Sequence, residues 1–197
     1  MEHRLAYRVW LGNPSMYRGR FTDASPALYP GKEISMSINN LDDLFLHTLQ
    51  DVYFAENHIT KALPKMIKNA DSEKLRKLFE SHLEETKGQI ERLNEVFAAL
   101  GEKAKGEKCP AIEGITKEAD EVMSQIKDKD TRDAAMIAAA QAVEHYEITR
   151  YGTLISWANL LGHKDVAKVL QKTLDEEYGA DDKLTKIAES KLNKEAA

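Results

Sequence analysis

The sequence has a single cysteine, no long apolar run and no excess of positive charge. Cys109 alone cannot form a disulfide within the chain, which favours a reducing, cytoplasmic compartment. No stretch reaches the roughly 18 consecutive apolar residues that a membrane-spanning helix needs, so we expect no membrane insertion. Lys and Arg number 28 against 33 Asp and Glu, a net charge of −5, which argues against a nucleic-acid-binding face.

Residues 1–35 differ in composition from the rest of the chain. They hold three of the five prolines, show no helical period and lack the apolar core of a secretory signal peptide. We interpret them as a leader that is disordered or foreign to the native protein, and we assign residues 36–197 to one domain. Met36 is then the expected start of translation. A product that begins at Met1, when the protein is expressed from its own promoter, would contradict this interpretation.

Almost all of the chain after Asn40 has the apolar period of amphipathic helices. Asn40 or Asn39 can cap the first helix, Asp71 or Ser72 the second, and Gly101 and Gly162 follow the second and third as stop signals. The periods predict four long helices, at about residues 41–69, 72–100, 131–161 and 164–192.

The lengths of the connections predict how these helices are arranged. The first two helices, and the last two, are joined by a few residues, so each pair forms an antiparallel hairpin. Residues 101–130 between the hairpins are long enough to return the height of the bundle, and Ile112, Ile115, Val122 and Met123 recur there at helical spacing. The sequence therefore predicts an all-α, ferritin-like four-helix bundle with one long crossover and a short extra helix.

Acidic residues interrupt the apolar stripe of every long helix near its midpoint. They are Glu56 on the first helix, Glu85 on the second with His82 one turn before it, Glu144 and Glu147 on the third, and Glu176 or Glu177 on the fourth. Because the midpoints of antiparallel helices meet at one level, we expect these side chains to converge inside the bundle. Stripe periodicity favours Glu177, whereas aligning "LEET" with "LDEE" of the two hairpins favours Glu176, so both are kept as candidates.

Buried carboxylates without partners are costly, so these acids must hold protons, pair with cations or bind metal. A site rich in carboxylates and poor in histidine suits iron or manganese better than structural zinc. Di-iron bundles use Glu-x-x-His, but here His82 precedes Glu85, Glu147 takes the place of a histidine, and the fourth helix offers none. His82 is either a ligand or a core histidine. Tyr53, Tyr146 and Tyr151 are packing residues or, beside the cluster, could support the ligands.

Several motifs together resemble one known family. They are "HLEETKGQIERLNEVF", "KCPAIEG", "RDAAMIAAAQAVEHYEITRYGTL" and "LDEEYGADDKLTKIA". From about residue 40 to 192 the chain is similar to the bacterial ferritin-like stress proteins of the YciF family, which are related to rubrerythrin-like di-iron proteins. The resemblance implies a homodimer, a short interface helix, induction under stress, and the same His-before-Glu order. It implies an acidic cluster at Glu56, His82, Glu85, Glu144, Glu147 and the Glu176–Glu177 pair.

These observations give two functional hypotheses. The first is a cytoplasmic protein of the stress response with two iron ions in its core, or manganese, that oxidises ferrous iron or consumes peroxide or oxygen. In this hypothesis Glu85 and Glu147 are the expected shared ligands. The alternative is a non-enzymatic helical homodimer with a metal-free polar core, which acts as an interaction or structural module. The sequence does not identify a partner protein.

Overall fold

The computed structural model describes residues 38–197, so the interpretation of residues 1–35 lies outside the described residues. Five helices of substantial length follow one another: α1 Leu41–Asn69, α2 Glu73–Ala99, α3 Pro110–Gln125, α4 Lys129–Leu160 and α5 Lys164–Ile187. A π-helical turn, Ala188–Leu192, and a short helix α6, Asn193–Glu195, continue α5. The fourth predicted helix is therefore α-helical only to Ile187; beyond it the wider turn keeps Ala188 and Leu192 buried.

Local signals set the helix ends where the sequence predicts them. The Asn40 side chain accepts a hydrogen bond from the backbone N–H of Asp43 at 2.8 Å, which satisfies one of the free donors of the first turn. Ser72 caps α2 in the same way. Gly101 and Gly162 follow α2 and α4 with φ of 74° and 86°, the left-handed conformation that glycine adopts without steric cost.

The predicted all-α bundle with one long crossover is confirmed. Helices α1 and α2 form one hairpin and α4 and α5 the other, and the hairpins meet through α2 against α5 and α1 against α4. The crossover contains α3, which packs on α4 and touches α1. Among residues 38–197, none of the helices is both long and apolar enough to span a membrane.

The buried apolar side chains form two clusters at opposite ends of the bundle. One contains Leu49, Phe97 and Leu154, from the start of α1 and the ends of α2 and α4. The other contains Leu63, Phe79 and other residues from the opposite halves of the helices. The midpoints of the four long helices lie between these clusters, and there the buried side chains are polar.

Candidate metal centre

Each polar residue of this middle layer occupies a core position of its helix. Glu56 follows the buried Val52 by one turn and precedes the buried Ile59 by another. Helical periodicity that carries apolar residues into the core therefore carries this carboxylate there as well. The same reasoning applies to the other helices. We call the five residues that result the core cluster: Glu56, His82, Glu144, Glu147 and Glu177.

The core cluster is compact. One potential ligand atom from each of four residues, His82, Glu144, Glu147 and Glu177, lies within 4.8 Å of all the others. The His82 Nε2 atom is 3.3 Å from Glu144 Oε1. Glu56 adjoins this group closely enough for its charge to act on Glu147. None of the five residues is more than 5% exposed, so these groups are largely removed from bulk water.

Several atoms of the core cluster are buried with no hydrogen-bond partner among residues 38–197. They are both carboxylate oxygens of Glu147, Nδ1 of His82, and Oε2 of Glu56, Glu144 and Glu177. More than nine in ten buried polar groups in proteins have a partner, because an unsatisfied one costs roughly 1–3 kcal/mol and more when charged. These five converging side chains must therefore share protons, as in the pairs Glu56–Glu147 and Glu144–Glu177, or bind a cation.

Burial and neighbouring carboxylates also shift the pKa values of the glutamates in the core cluster. Burial raises the pKa of Glu56 to about 8, and the nearby Glu177 carboxylate adds to the rise. Burial likewise raises the pKa of Glu144 to about 8. For Glu147 and Glu177, burial and then neighbouring carboxylates raise the pKa well above its usual range. Without a cation, the cluster therefore keeps protons at neutral pH that a bound metal ion would displace.

His82 is the one basic side chain of the core cluster. Burial alone would lower its pKa, but the neighbouring carboxylates, first of all that of Glu85, outweigh burial and raise the pKa. Glu85 lies at the edge of the cluster, with Oε2 3.8 Å from His82 Nδ1 and Oε1 3.5 Å from Lys183 Nζ. Its side chain is 31% exposed, so water can solvate it.

Supporting side chains orient the carboxylates. The Tyr151 hydroxyl donates a hydrogen bond to Glu56 Oε1, and the Gln89 amide donates to Glu177 Oε1 at 2.6 Å. The Tyr151 position fits the predicted role of a supporting tyrosine. Sequence reasoning did not identify Gln89, although it lies seven residues after His82 on the same stripe of α2.

Glu176 lies outside the core cluster. Its carboxylate is 34% exposed and pairs with Arg92, and Gln89 also donates to it at 3.1 Å. Of the two adjacent candidates, the structure thus buries Glu177 among the other carboxylates and pairs Glu176 with a cation. The Arg92 pairing had no sequence signal, because α2 and α5 are far apart along the chain.

The donor set fits a hard or borderline divalent metal. Four carboxylates and one imidazole converge, and each has an atom without a hydrogen-bond donor or acceptor in the described part of the chain. Carboxylate oxygen is the preferred ligand of manganese and is common around non-haem iron, whereas structural zinc sites favour thiolates and imidazoles. The residues that could hold such ions are the core cluster, with Glu85 at its edge.

The two hairpins, the long crossover and the acid-rich core together define a four-helix bundle of the ferritin-like class. Residues 40–197 match the family model described as "Domain of unknown function (DUF892)", and the chain belongs to this family. It is 47% identical to Protein YciF of Escherichia coli strain K12 over 162 residues, 82% of this chain and 98% of that protein.

Solved structures of similar proteins share the fold of this chain. The crystal structure of the E. coli stress protein YciF superposes with a TM-score of 0.76 at 47% identity, covering 80% of this chain and 99% of that one. The YcfI protein of Rhodopseudomonas palustris superposes with a TM-score of 0.75 at 56% identity, covering 77% of this chain and 96% of that one. A protein of Xanthomonas campestris shares the fold at 21% identity, with a TM-score of 0.62 and coverage of 77% and 93%.

Proposed function

We propose that the core cluster is a metal centre that holds two iron ions and serves a redox reaction of the bacterial stress response. The observation that supports the proposal is the group of converging, buried carboxylate oxygens that lack partners in the described residues. The relation to a protein described as a stress protein supports the physiological setting.

Charge balance favours two divalent ions over one. The four glutamates of the core cluster carry four negative charges when they are deprotonated, and two divalent cations cancel that charge. A net charge in a buried, low-dielectric site is costly, so neutrality favours full loading. Glu85 does not enter this balance, because Lys183 lies beside it.

The residues have separable roles in this proposal. Glu147 has two unpaired oxygens and could contribute to both ions, while Glu56 and Glu177 are held in place by Tyr151 and Gln89. His82 would bind through a ring nitrogen, with the Glu85 carboxylate 3.8 Å from its Nδ1 atom. Iron bound here would supply or accept single electrons in a reaction with oxygen or peroxide. Manganese would use the same ligands.

Metal content tests the proposal directly, and adjacent glutamates provide the matched control. The full chain is purified without a metal-chelating tag from iron-supplemented cells, and metals per chain are measured by plasma mass spectrometry. We expect about two irons per chain, as in other di-iron bundles. Glu177→Gln should lose most of the metal, because it removes a buried ligand charge. Glu176→Gln should retain it, because Glu176 pairs with Arg92.

Two results would contradict the proposal. One is a wild-type chain that takes up no metal even after anaerobic incubation with ferrous iron, which would support the metal-free polar core. The other is equal metal retention in both variants. If the chain binds only manganese, the proposed site stands and the proposed metal is wrong.

A further inference from the structure

A cavity of about 690 Å³ extends from the protein surface to the core cluster. Residues from all five long helices line it, and His82 and Glu144 lie at its inner end. Most of its inner wall is apolar. The larger side chains of that wall are Leu63, Met66, Phe79, Met123, Val143 and Leu184.

The exposed residues of the lining place its opening between α1 and α3. There the His58 Nε2 atom lies 2.8 Å from Thr116 Oγ1, and Lys65 Nζ donates to Asp120 at 2.6 Å. Another lysine of the rim, Lys117, pairs with a glutamate of its own helix. The rim holds three lysines and three acids, so its charges balance and the opening does not select for a charged ligand. They are Lys61, Lys65, Lys117, Glu113, Asp120 and Glu121.

The size and walls of the cavity suit a small organic molecule. Ligand cavities in proteins typically enclose about 300–1,000 Å³, with mostly apolar walls and a few polar groups that fix orientation. Here those polar groups are His82 and Glu144, the two buried polar residues of the lining. A second protein chain could cover the opening, but Leu63, Phe79 and Leu184 of the inner wall are buried, and a folded chain cannot reach them.

We propose that this cavity binds a small molecule with an apolar body and one uncharged polar end, in the size range of a medium-chain alcohol, with the polar end beside His82 and Glu144. Burial of the body against the apolar wall provides the affinity, and the two polar side chains set the direction of entry. This inference goes beyond the metal centre, because the apolar wall is present whether or not metal is bound.

Titration of the metal-free full-length chain with hexanol, octanol and decanol tests the inference by calorimetry. We expect saturable binding that strengthens about threefold to fourfold for each added methylene, the factor that burial of a methylene provides. Binding that does not strengthen with chain length would overturn the inference, as would the absence of binding at the solubility limit of decanol.

A pair of substitutions on α4 locates the ligand. Ala139 lines the cavity, whereas Ala142 is exposed on the same helix. Ala139→Phe fills the cavity and should weaken decanol binding by about tenfold or more, whereas Ala142→Phe should leave it unchanged. Equal binding by the two variants would overturn the assignment to this cavity.

A crystal structure with a bromine-terminated decanol gives a second test that needs no variant. The bromine should lie among the apolar residues of the wall or at the opening, with the hydroxyl toward Glu144. Bromine at any other place on the wild-type protein would overturn the inference. Since these measurements use metal-free protein, they can fail while the metal content supports the proposed function, or succeed while it does not.

Discussion

Asp133 and Glu147 lie on the same helix and are equally buried, each 1% exposed, but their carboxylates have different surroundings. The oxygens of Asp133 accept hydrogen bonds from the backbone N–H groups of Asp71 and Ser72 at 3.0 and 2.7 Å. Neither oxygen of Glu147 has a hydrogen-bond partner among residues 38–197.

The different partners of Asp133 and Glu147 illustrate two roles that a buried carboxylate can have. Asp133 fixes the turn between α1 and α2 against α4, and its charge is matched by donors at the start of α2, where the helix dipole favours a negative charge. Glu147 and its neighbours in the core cluster stabilise no comparable backbone feature. Buried acids with a complete set of donors hold a fold together, whereas buried acids that face one another must share protons or bind a cation.

The largest effect on stability should come from substitution of Asp133. Asp133→Ala removes the acceptor for two buried N–H groups, and we expect the free energy of unfolding to fall by about 3 kcal/mol. Urea denaturation of the metal-free protein measures this change. Asp133→Asn keeps one acceptor oxygen and should cost less. A loss for Asp133→Ala of less than about 1 kcal/mol would show that the anchor is dispensable.

The core cluster should instead make stability depend on pH. The pKa of Glu56 and Glu144 rises from 4.5 to about 8 on folding, so the folded metal-free chain holds protons that the unfolded chain releases. Their contribution to stability is complete below pH 4.5 and is lost as the pH rises toward 8. One such group predicts a decrease of about 2 kcal/mol between about pH 5.5 and about pH 7.5.

Urea denaturation at the two pH values measures this dependence. Glu56→Gln is the matched control, because its amide oxygen can still accept the Tyr151 hydrogen bond while the titrating group is gone. The variant should lose less stability over this interval than the wild type. Metal ions should remove much of the dependence by replacing the protons. Stability that rises with pH in the metal-free wild type would contradict the assignment of protons to the cluster.

The fold could be predicted from sequence because its signals are local. Stripe periodicity, Asn40, Gly101 and Gly162 define the helices, and connection lengths define their order. The same stripes indicated that Glu56, Glu144, Glu147 and Glu177 face the core, since a position on a helix face is also local information. They also predicted Glu85 inside the bundle, but Glu85 lies at the edge and is 31% exposed.

What the sequence did not show depends on pairs of residues from distant segments. The Arg92–Glu176 pair, which separates Glu176 from the core cluster, joins α2 to α5. The Asp133 anchor and the apolar cavity likewise arise only when separate helices pack. The homodimer and the identity of a partner protein stay predictions, because they depend on surfaces of other chains.

A third carboxylate, Asp120 of α3, extends the comparison to the surface. It pairs with Lys65 of α1 at 2.6 Å, and the side chains of both are more than half exposed. Because water solvates each charge as well as its partner does, Lys65→Ala should change the free energy of unfolding by only about 0.2–1 kcal/mol. Urea denaturation in low and high salt measures it, and the difference from wild type should shrink in high salt. A loss as large as that of Asp133→Ala would mean that α3 is held to α1 chiefly by this ion pair and not by its packing on α4.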